Sequence, residues 1–220
     1  MASTLRRPPL VESVCTLLLE KYRDAEWLPP ERKLAVTLGV SRPVLREAIK
    51  RLENQGLLAS RHGVGVQVVD EPHVPVGAAL ERALPSRTER IRQFTAARLV
   101  VEPELARLAA TRIKPAQLKR LEAAQRRLAD CQDFAEGLAA DLEFHRIIAK
   151  SSGNQVLALM IASMAALETA SRQVTLQRVG LRQAGEQHQR IFLAIADKDP
   201  AKAETAMIAH LTSAQSVVAK

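Results

Sequence analysis

The chain has 220 residues, enough for two domains of ordinary size that each bury a core. Its 32 basic residues outnumber 24 acidic ones for a formal net charge of +8, which favours a polyanionic partner. Residues 1–70 hold only 11 basic and 8 acidic residues, so a nucleic-acid role there must rest on where the arginines sit. Two cysteines, Cys15 and Cys131, lack metal-type spacing and read as reduced, buried thiols, not a disulfide. MASTLRRPPL has no apolar signal core and no 18-residue apolar run follows, so the expectation is a soluble, cytoplasmic protein without a membrane partner.

Residues 1–8 read as a mobile arm, with Arg6 and Arg7 free for phosphate. Leu10 to Arg23 follows as an amphipathic helix with Val11, Val14, Leu17, Leu18 and Tyr22 on one side. Trp27 to Pro30 form a rigid lead-in, and Glu31 opens a second helix whose stripe is Leu34, Ala35 and Leu38. Gly39 breaks it, and Ser41 is placed to cap a third helix. There Val44, Leu45, Ala48, Ile49 and Leu52 mark a buried face, while Arg42, Arg46 and Lys50 recur every four residues beside it. Pro43, early in that helix where its missing N–H costs little, stiffens the start. Two helices joined by a short turn containing glycine make a helix-turn-helix pattern, and basic residues near the start of the second suit a major groove. A solvated basic face on an ordinary helix pair fits the stripe equally well.

The continuation favours the DNA reading. Gly56 can stop the helix, Leu57–Ser60 and Val64–Val69 read as short strands, Arg61, His62 and Gly63 fill the turn, and Gly65 relieves strain beyond it. A hairpin after a helix-turn-helix makes a winged helix, whose basic tip can enter a minor groove or lie along phosphates. The stretch LPPERKLAVTLGVSRPVLREAIKRLENQGLL, followed by RHGVG, resembles the DNA-binding domain of the GntR family of bacterial transcription regulators over about forty residues in register. The resemblance implies DNA contacts from Arg32, Ser41, Arg42, Arg46, His62 and Gly63, with Pro43 among them. Chemically, Arg42 and Arg46 can reach guanine O6 and N7 or phosphate, Ser41 can bond phosphate while capping its helix, and His62 can bond in the minor groove.

Glu71 to Pro75, with two prolines close together, is the best boundary. The expected division is a winged helix over 1–70, a linker and first connecting helix over 71–86, and a helical domain over 87–220. Helices are predicted near 74–83, 87–111, 115–130, 132–151, 154–178, 181–197 and 200–218, with Pro103 kinking or shifting one of them. The fold class is mainly α: a winged helix followed by an all-α bundle of six or seven helices.

Asp141 and His145 are four apart in DLEFHRII and leave one helix face together. His188 and His210 flank the Asp197–Pro200 turn at about ten residues each, so an antiparallel hairpin would set both roughly 15–17 Å from it. One carboxylate and three imidazoles inside a bundle suit a divalent transition metal (Zn, Ni, Mn or Fe) better than Mg²⁺ or Ca²⁺. Three unrelated histidines, two of them partly buried and hydrogen-bonded, are the alternative. The segments ARLVVEPELARLAATR, DLEFHRIIAKSSGN and HQRIFLAIADKDPAKAETAMIAHL are similar to the FCD domain, the helical ligand-binding domain of the FadR-type branch of GntR regulators. That resemblance implies metal binding by Asp141, His145, His188 and His210. It also implies an effector role for Arg98, which can pair with a ligand carboxylate or, equally, form a salt bridge to Glu102 one turn later. Arg172 reads as solvated and Asn154 as a helix cap. Glu143, two residues from Asp141, points away from the metal face.

No HExxH, GxSxG or glycine-rich phosphate loop occurs, so the chain reads as a regulator and not an enzyme. The expected protein is a homodimeric transcriptional regulator, by default a repressor, on a palindromic operator in double-stranded DNA. A small carboxylate effector at the metal pocket would control it. Metal-only sensing or a purely structural metal is the alternative within regulation. A metal-dependent hydrolase or lyase, or a wing used only for protein contacts, are remoter ones.

Overall fold

The computed structural model describes residues 7–69 and 86–218. The predicted helix over 74–83, the linker apart from Ser86, and Arg6 lie outside the described residues. Tertiary contacts divide the chain into two compact units, Met1–Pro75 and Val76–Lys220.

In the first unit, α1 spans Arg7–Tyr22, α2 Glu31–Leu38 and α3 Arg42–Asn54, followed by β1 (Leu58–Arg61) and β2 (Gly65–Val68). The helix begins earlier than the sequence suggested because proline is tolerated in a first turn, which Pro8 and Pro9 occupy here. Val11, Val14, Cys15 and Leu18 are buried, whereas Leu17, expected on the same side, is 46% exposed. The α2–α3 turn needs Gly39, which sits at φ 65° and ends α2 in the left-handed conformation. Leu34, Leu45, Ala48, Ile49 and Leu52 then close over α1 and Leu58.

The hairpin is antiparallel, pairing Leu58 with Val68 and Arg61 with Gly65. Its turn is His62–Val64, one residue later than predicted, and Gly63 at φ 74° makes it possible. The lead-in joins the wing, a feature the sequence reading missed. Leu28 N–H donates to Val66 O at 2.8 Å, Val68 N–H donates to Glu26 O at 3.0 Å, and Trp27 bridges Gln67. Glu53 on α3 accepts from Ser60 N–H at 2.9 Å, tying the wing to the helix before it.

The second unit is all helical among the described residues: α4 Arg87–Arg112, α5 Pro115–Asp130, α6 Phe134–Ser151, α7 Gln155–Ala162, α8 Ala165–Val179, α9 Leu181–Ala196 and α10 Pro200–Val218. Ser86 and Asp133 cap α4 and α6, and Asn154 caps α7 as expected, each accepting a first-turn N–H. Pro103 lies inside α4 without ending it. The helix predicted over 154–178 is two helices. No glycine or proline marks the break. Ser163 Oγ donates back to Leu159 O at 2.8 Å, and Met164 leaves helical geometry at φ −109°, ψ 26°. The core runs through Leu105, Phe144, Ile148, Ile191, Met207 and Leu211, with α4 packed extensively along α10. Cys15 is buried as expected, but Cys131 is only half-buried, and both are free.

Leu45 is fully buried beneath the basic stripe of α3. Leu45→Ala is expected to lower the unfolding free energy of the N-terminal unit by about 2–5 kcal/mol, read as a lower urea midpoint with little change in slope.

Candidate functional site

The winged-helix face carries every DNA-contact residue expected from the sequence. Arg32, Ser41, Arg42, Pro43, Arg46, His62 and Gly63 are all exposed. Ser41 occupies the N-cap position of α3 in extended conformation, but its hydroxyl makes no cap hydrogen bond. The expected cap is therefore positional only, and no side-chain cap engages the first-turn N–H groups. Arg46 Nε donates to Glu31 Oε2 at 2.8 Å, and Arg42 Nη2 lies 4.0 Å from the same oxygen. Both arginines are more than half exposed, so these pairs hold at most about 1 kcal/mol and yield readily to a stronger anion.

The second constellation is buried in the helical unit. Asp141 and His145 come from α6, His188 from α9 and His210 from α10; one ligand atom from each lies within 4.8 Å of all the others. His188 Nε2 is 3.2 Å from both His145 Nε2 and Asp141 Oδ1. His210 Nδ1 is bonded to Gln187 Oε1 at 2.8 Å, which leaves Nε2 as its free nitrogen. Phe144 stacks on the His188 ring with centroids 4.2 Å apart and fixes its plane.

Around this cluster runs a shell of buried charge. Arg172 is 1% exposed, not solvated as its sequence position suggested, because α8 turns a polar face inward. Its guanidinium donates to Asp141 Oδ2 at 3.1 Å, Glu168 Oε1 at 3.1 Å and Glu102 Oε1 at 3.3 Å. Arg98 Nε donates to Glu102 Oε1 at 2.6 Å, the salt bridge one turn away. Yet Arg98 Nη1 is buried without a partner and lines a cavity of about 10 Å³ shared with Asp141, Arg172, Thr175, Gln187 and His210. Glu102 Oε2 lies 2.5 Å from His145 Nδ1, a contact whose direction does not make a proper hydrogen bond for either atom. Glu143 faces outward to Arg127 and Arg120, away from the cluster as expected.

Burial alone would push both carboxyls up. Arg172 and the His188 bond hold Asp141 well below the ordinary carboxylate range, and Arg98 and Arg172 do the same for Glu102. Burial, with Arg172 adding to it, drives His145 down to about 3 against the pull of Glu102. Burial and the neighbouring imidazoles lower His210 likewise. At neutral pH these two rings are uncharged and their nitrogens are available as ligands.

Residues 14–68 match the family described as bacterial regulatory proteins, gntR family, and residues 93–213 match the FCD domain. The HTH-type transcriptional regulator LutR of Bacillus subtilis is 30% identical over 90% of this chain and 94% of that protein. The chain belongs to the GntR family, with an FCD domain. It is a DNA-binding transcriptional regulator and not an enzyme. The HTH-type transcriptional repressor NanR of Klebsiella aerogenes is 28% identical over 97% of this chain and 88% of that protein. Among solved structures, Streptococcus agalactiae GntR superposes with a TM-score of 0.71 at 29% identity, covering 94% of this chain and 99% of that one.

The FCD donor set is of a kind that suits a divalent transition metal, and although it spans up to 4.8 Å as a whole, two of its separations are those a metal would impose. Metal–nitrogen bonds of about 2.1 Å meeting at 90–109° put neighbouring ligand atoms about 3.0–3.4 Å apart, which brackets both 3.2 Å separations. Sequence reasoning missed Gln187, Glu168 and the buried role of Arg172. The signal it could have used is the polar stripe Glu168, Ser171, Arg172, Thr175, which has helical spacing.

With chelator present, the FCD unit is expected to lose stability as pH falls below 6.5. Unfolded His145 and His210 take protons there, whereas folded His145 does so only near pH 3. The unfolded state thus binds more protons throughout that window, and stability present above pH 6.5 declines as the medium is acidified. Calorimetric melts across the window check this; a flat melting temperature would contradict it.

Proposed function

We propose that this regulator, a homodimeric repressor acting on a palindromic operator in the cytoplasm, is controlled by a small monocarboxylate bound at a divalent-metal centre. Asp141, His145, His188 and His210 would hold the metal. The observation that carries the reading is the convergence of those four ligand atoms beside the unpaired Nη1 of buried Arg98. A transition metal there supplies a Lewis-acidic open position for a ligand oxygen. Arg98 Nη1, one side chain away across the same cavity, is placed to take the other carboxylate oxygen.

Charge supports the ligand class. Arg98 pairs with Glu102, and Arg172 with Glu102, Asp141 and Glu168, so these five buried side chains carry a formal net charge of minus one. A divalent cation makes the shell plus one, and a single carboxylate returns it to neutrality, the cheapest state for a buried site. The NanR relative is named a repressor, which supports repression as the mode. Ligand and DNA then affect each other's affinity by the same factor.

One observation favours a second reading, in which metal is itself the signal or purely structural. The cavity beside Arg98 has room for about one water molecule and no organic acid as it stands.

Protein purified without chelator or histidine tag is expected to carry near-stoichiometric metal, which a His188→Ala/His210→Ala double variant loses. Metal-free wild type after incubation with Zn²⁺, Ni²⁺ or Mn²⁺ would remove the metal reading. Operator titrations of metal-loaded protein with and without a panel of monocarboxylates separate the two: a metal effect without any carboxylate effect selects the second.

On the DNA side, Arg46→Ala is expected to weaken operator binding by about 1–3 kcal/mol with relaxed discrimination at one base pair if it reads a base. If it binds phosphate, the weakening is uniform and the salt slope falls by about 1. Gel shifts on the operator and on single-position variants of it tell these apart.

A further inference from the structure

The buried centre needs a way in. The cavity beside Arg98 is about 10 Å³, while a second, more open space of about 390 Å³ lies at the elbow where α8 meets α9. The larger one is within the size range of small-ligand pockets. Its outer rim is exposed Arg182, Gln183, Glu186 and Arg190. Two half-buried residues line both spaces, Val179 and Gln187, so these two form the wall between them.

That wall sits at a built discontinuity. Gly180 alone links α8 to α9, at φ 88°, a conformation that side-chain-bearing residues rarely adopt. Gln187 is one residue before the expected ligand His188, and its Oε1 accepts from Nδ1 of His210. Holding the proton on Nδ1 leaves Nε2 unprotonated, so the same carboxamide that closes the wall also sets the tautomer a metal requires. On the inner side waits Arg98 Nη1, buried and unpartnered.

We propose that the α8–α9 elbow cleft is the port through which metal and small monocarboxylates reach the buried centre, and that Gln187 is its gate and the positioning residue for His210. Arg182 and Arg190 on the rim favour anions, opposed by Glu186, which lies 3.3 Å from Arg182 in a solvent-exposed pair. Swinging the Gln187 side chain outward joins the two spaces and at the same moment frees His210 Nδ1. Passage and coordination are therefore coupled: the gate is shut when the ring is correctly held. The proposal rests on the metal reading above, and its test separates the two.

The probe is Co²⁺ alone with the full chain, followed by its visible absorbance. Equilibrium titration gives affinity, rapid mixing gives the loading rate, and excess chelator gives the release rate. Val179→Trp places a ring across the wall and replaces none of the expected ligands. It should slow loading and release severalfold by a common factor and leave the equilibrium affinity unchanged. Gln187→Ala should speed both rates and weaken affinity by about 10–100-fold through the loss of the His210 bond. Far-UV circular dichroism and melting of both variants check that the fold is retained, and either variant alone suffices if the other does not fold. No Co²⁺ uptake by wild type overturns the metal reading and the port with it. Uptake with wild-type rates in Val179→Trp and Gln187→Ala overturns the port and leaves the metal reading standing. A loss of affinity in Gln187→Ala with no rate change in either variant also overturns the port, reducing Gln187 to a positioning residue.

Discussion

Arg172 is the constraint on which the helical unit depends. It is a buried cation that donates to carboxylates from three helices, Glu102 on α4, Asp141 on α6 and Glu168 on its own α8. Taking such charges out of water costs several kcal/mol per ion, and a well-packed apolar set of the same volume is often at least as stable. Stability alone does not explain the cluster. What the guanidinium provides is an ionised Asp141 in a place where burial by itself would neutralise it. A neutral carboxylic acid is a poor metal ligand, so the arginine keeps the one anionic donor of the set in its binding form.

The histidines are prepared from the opposite direction. Burial and Arg172 make protonation of His145 unfavourable, and burial with the other imidazoles does the same for His210. Glu102 and Gln187 then lie against the Nδ1 sides of His145 and His210, the positions from which outer partners orient metal-binding imidazoles. One positive charge thus ionises the acid, discharges the base and anchors three helices. On the proposed metal reading, Asp141, His145 and His210 would already be in the protonation states that a metal ligand needs at neutral pH.

Much of this was legible in the sequence, and the exceptions share a cause. The winged helix was readable because its buried stripes are apolar: Leu34 and Ala35 on α2, and Val44, Leu45, Ala48, Ile49 and Leu52 on α3. The four-residue interval between Asp141 and His145, and the equal distances of His188 and His210 from one turn, suggested that those residues meet, and the resemblance to the FCD domain joined them into one set. Arg172 was misread because apolar periodicity detects only apolar faces. On α8 the buried stripe runs Glu168, Ser171, Arg172, Thr175, so the pattern is present and the chemistry hides it. The break between α7 and α8 was invisible for another reason: a serine back-bond and one non-helical methionine made it, with no punctuating residue. The third strand-like segment at Trp27–Leu28 was concealed by prolines at 29 and 30 that marked the stretch as mere lead-in.

The two recognition surfaces follow one electrostatic design at different depths. On the winged helix, Glu31 holds Arg46 and stands near Arg42; in the FCD domain, Glu102 holds Arg98 through its Nε. In each, a protein carboxylate occupies part of an arginine fork before any external anion arrives. Binding an anion is then an exchange or a sharing of partners and not the capture of a bare cation. Much of the raw attraction is forfeited, and affinity comes to depend on whether the newcomer fits better than the resident carboxylate. For exposed Arg46 the resident pair is weak and screened, so on the proposed DNA reading a backbone phosphate, one of a dense row of single negative charges, can exchange with it at little cost. For buried Arg98 the Nε bond to Glu102 is 2.6 Å, and Nη1 is left without a partner. On the proposed reading, a ligand there would bring its charge without displacing Glu102, which favours one small carboxylate directed at Nη1.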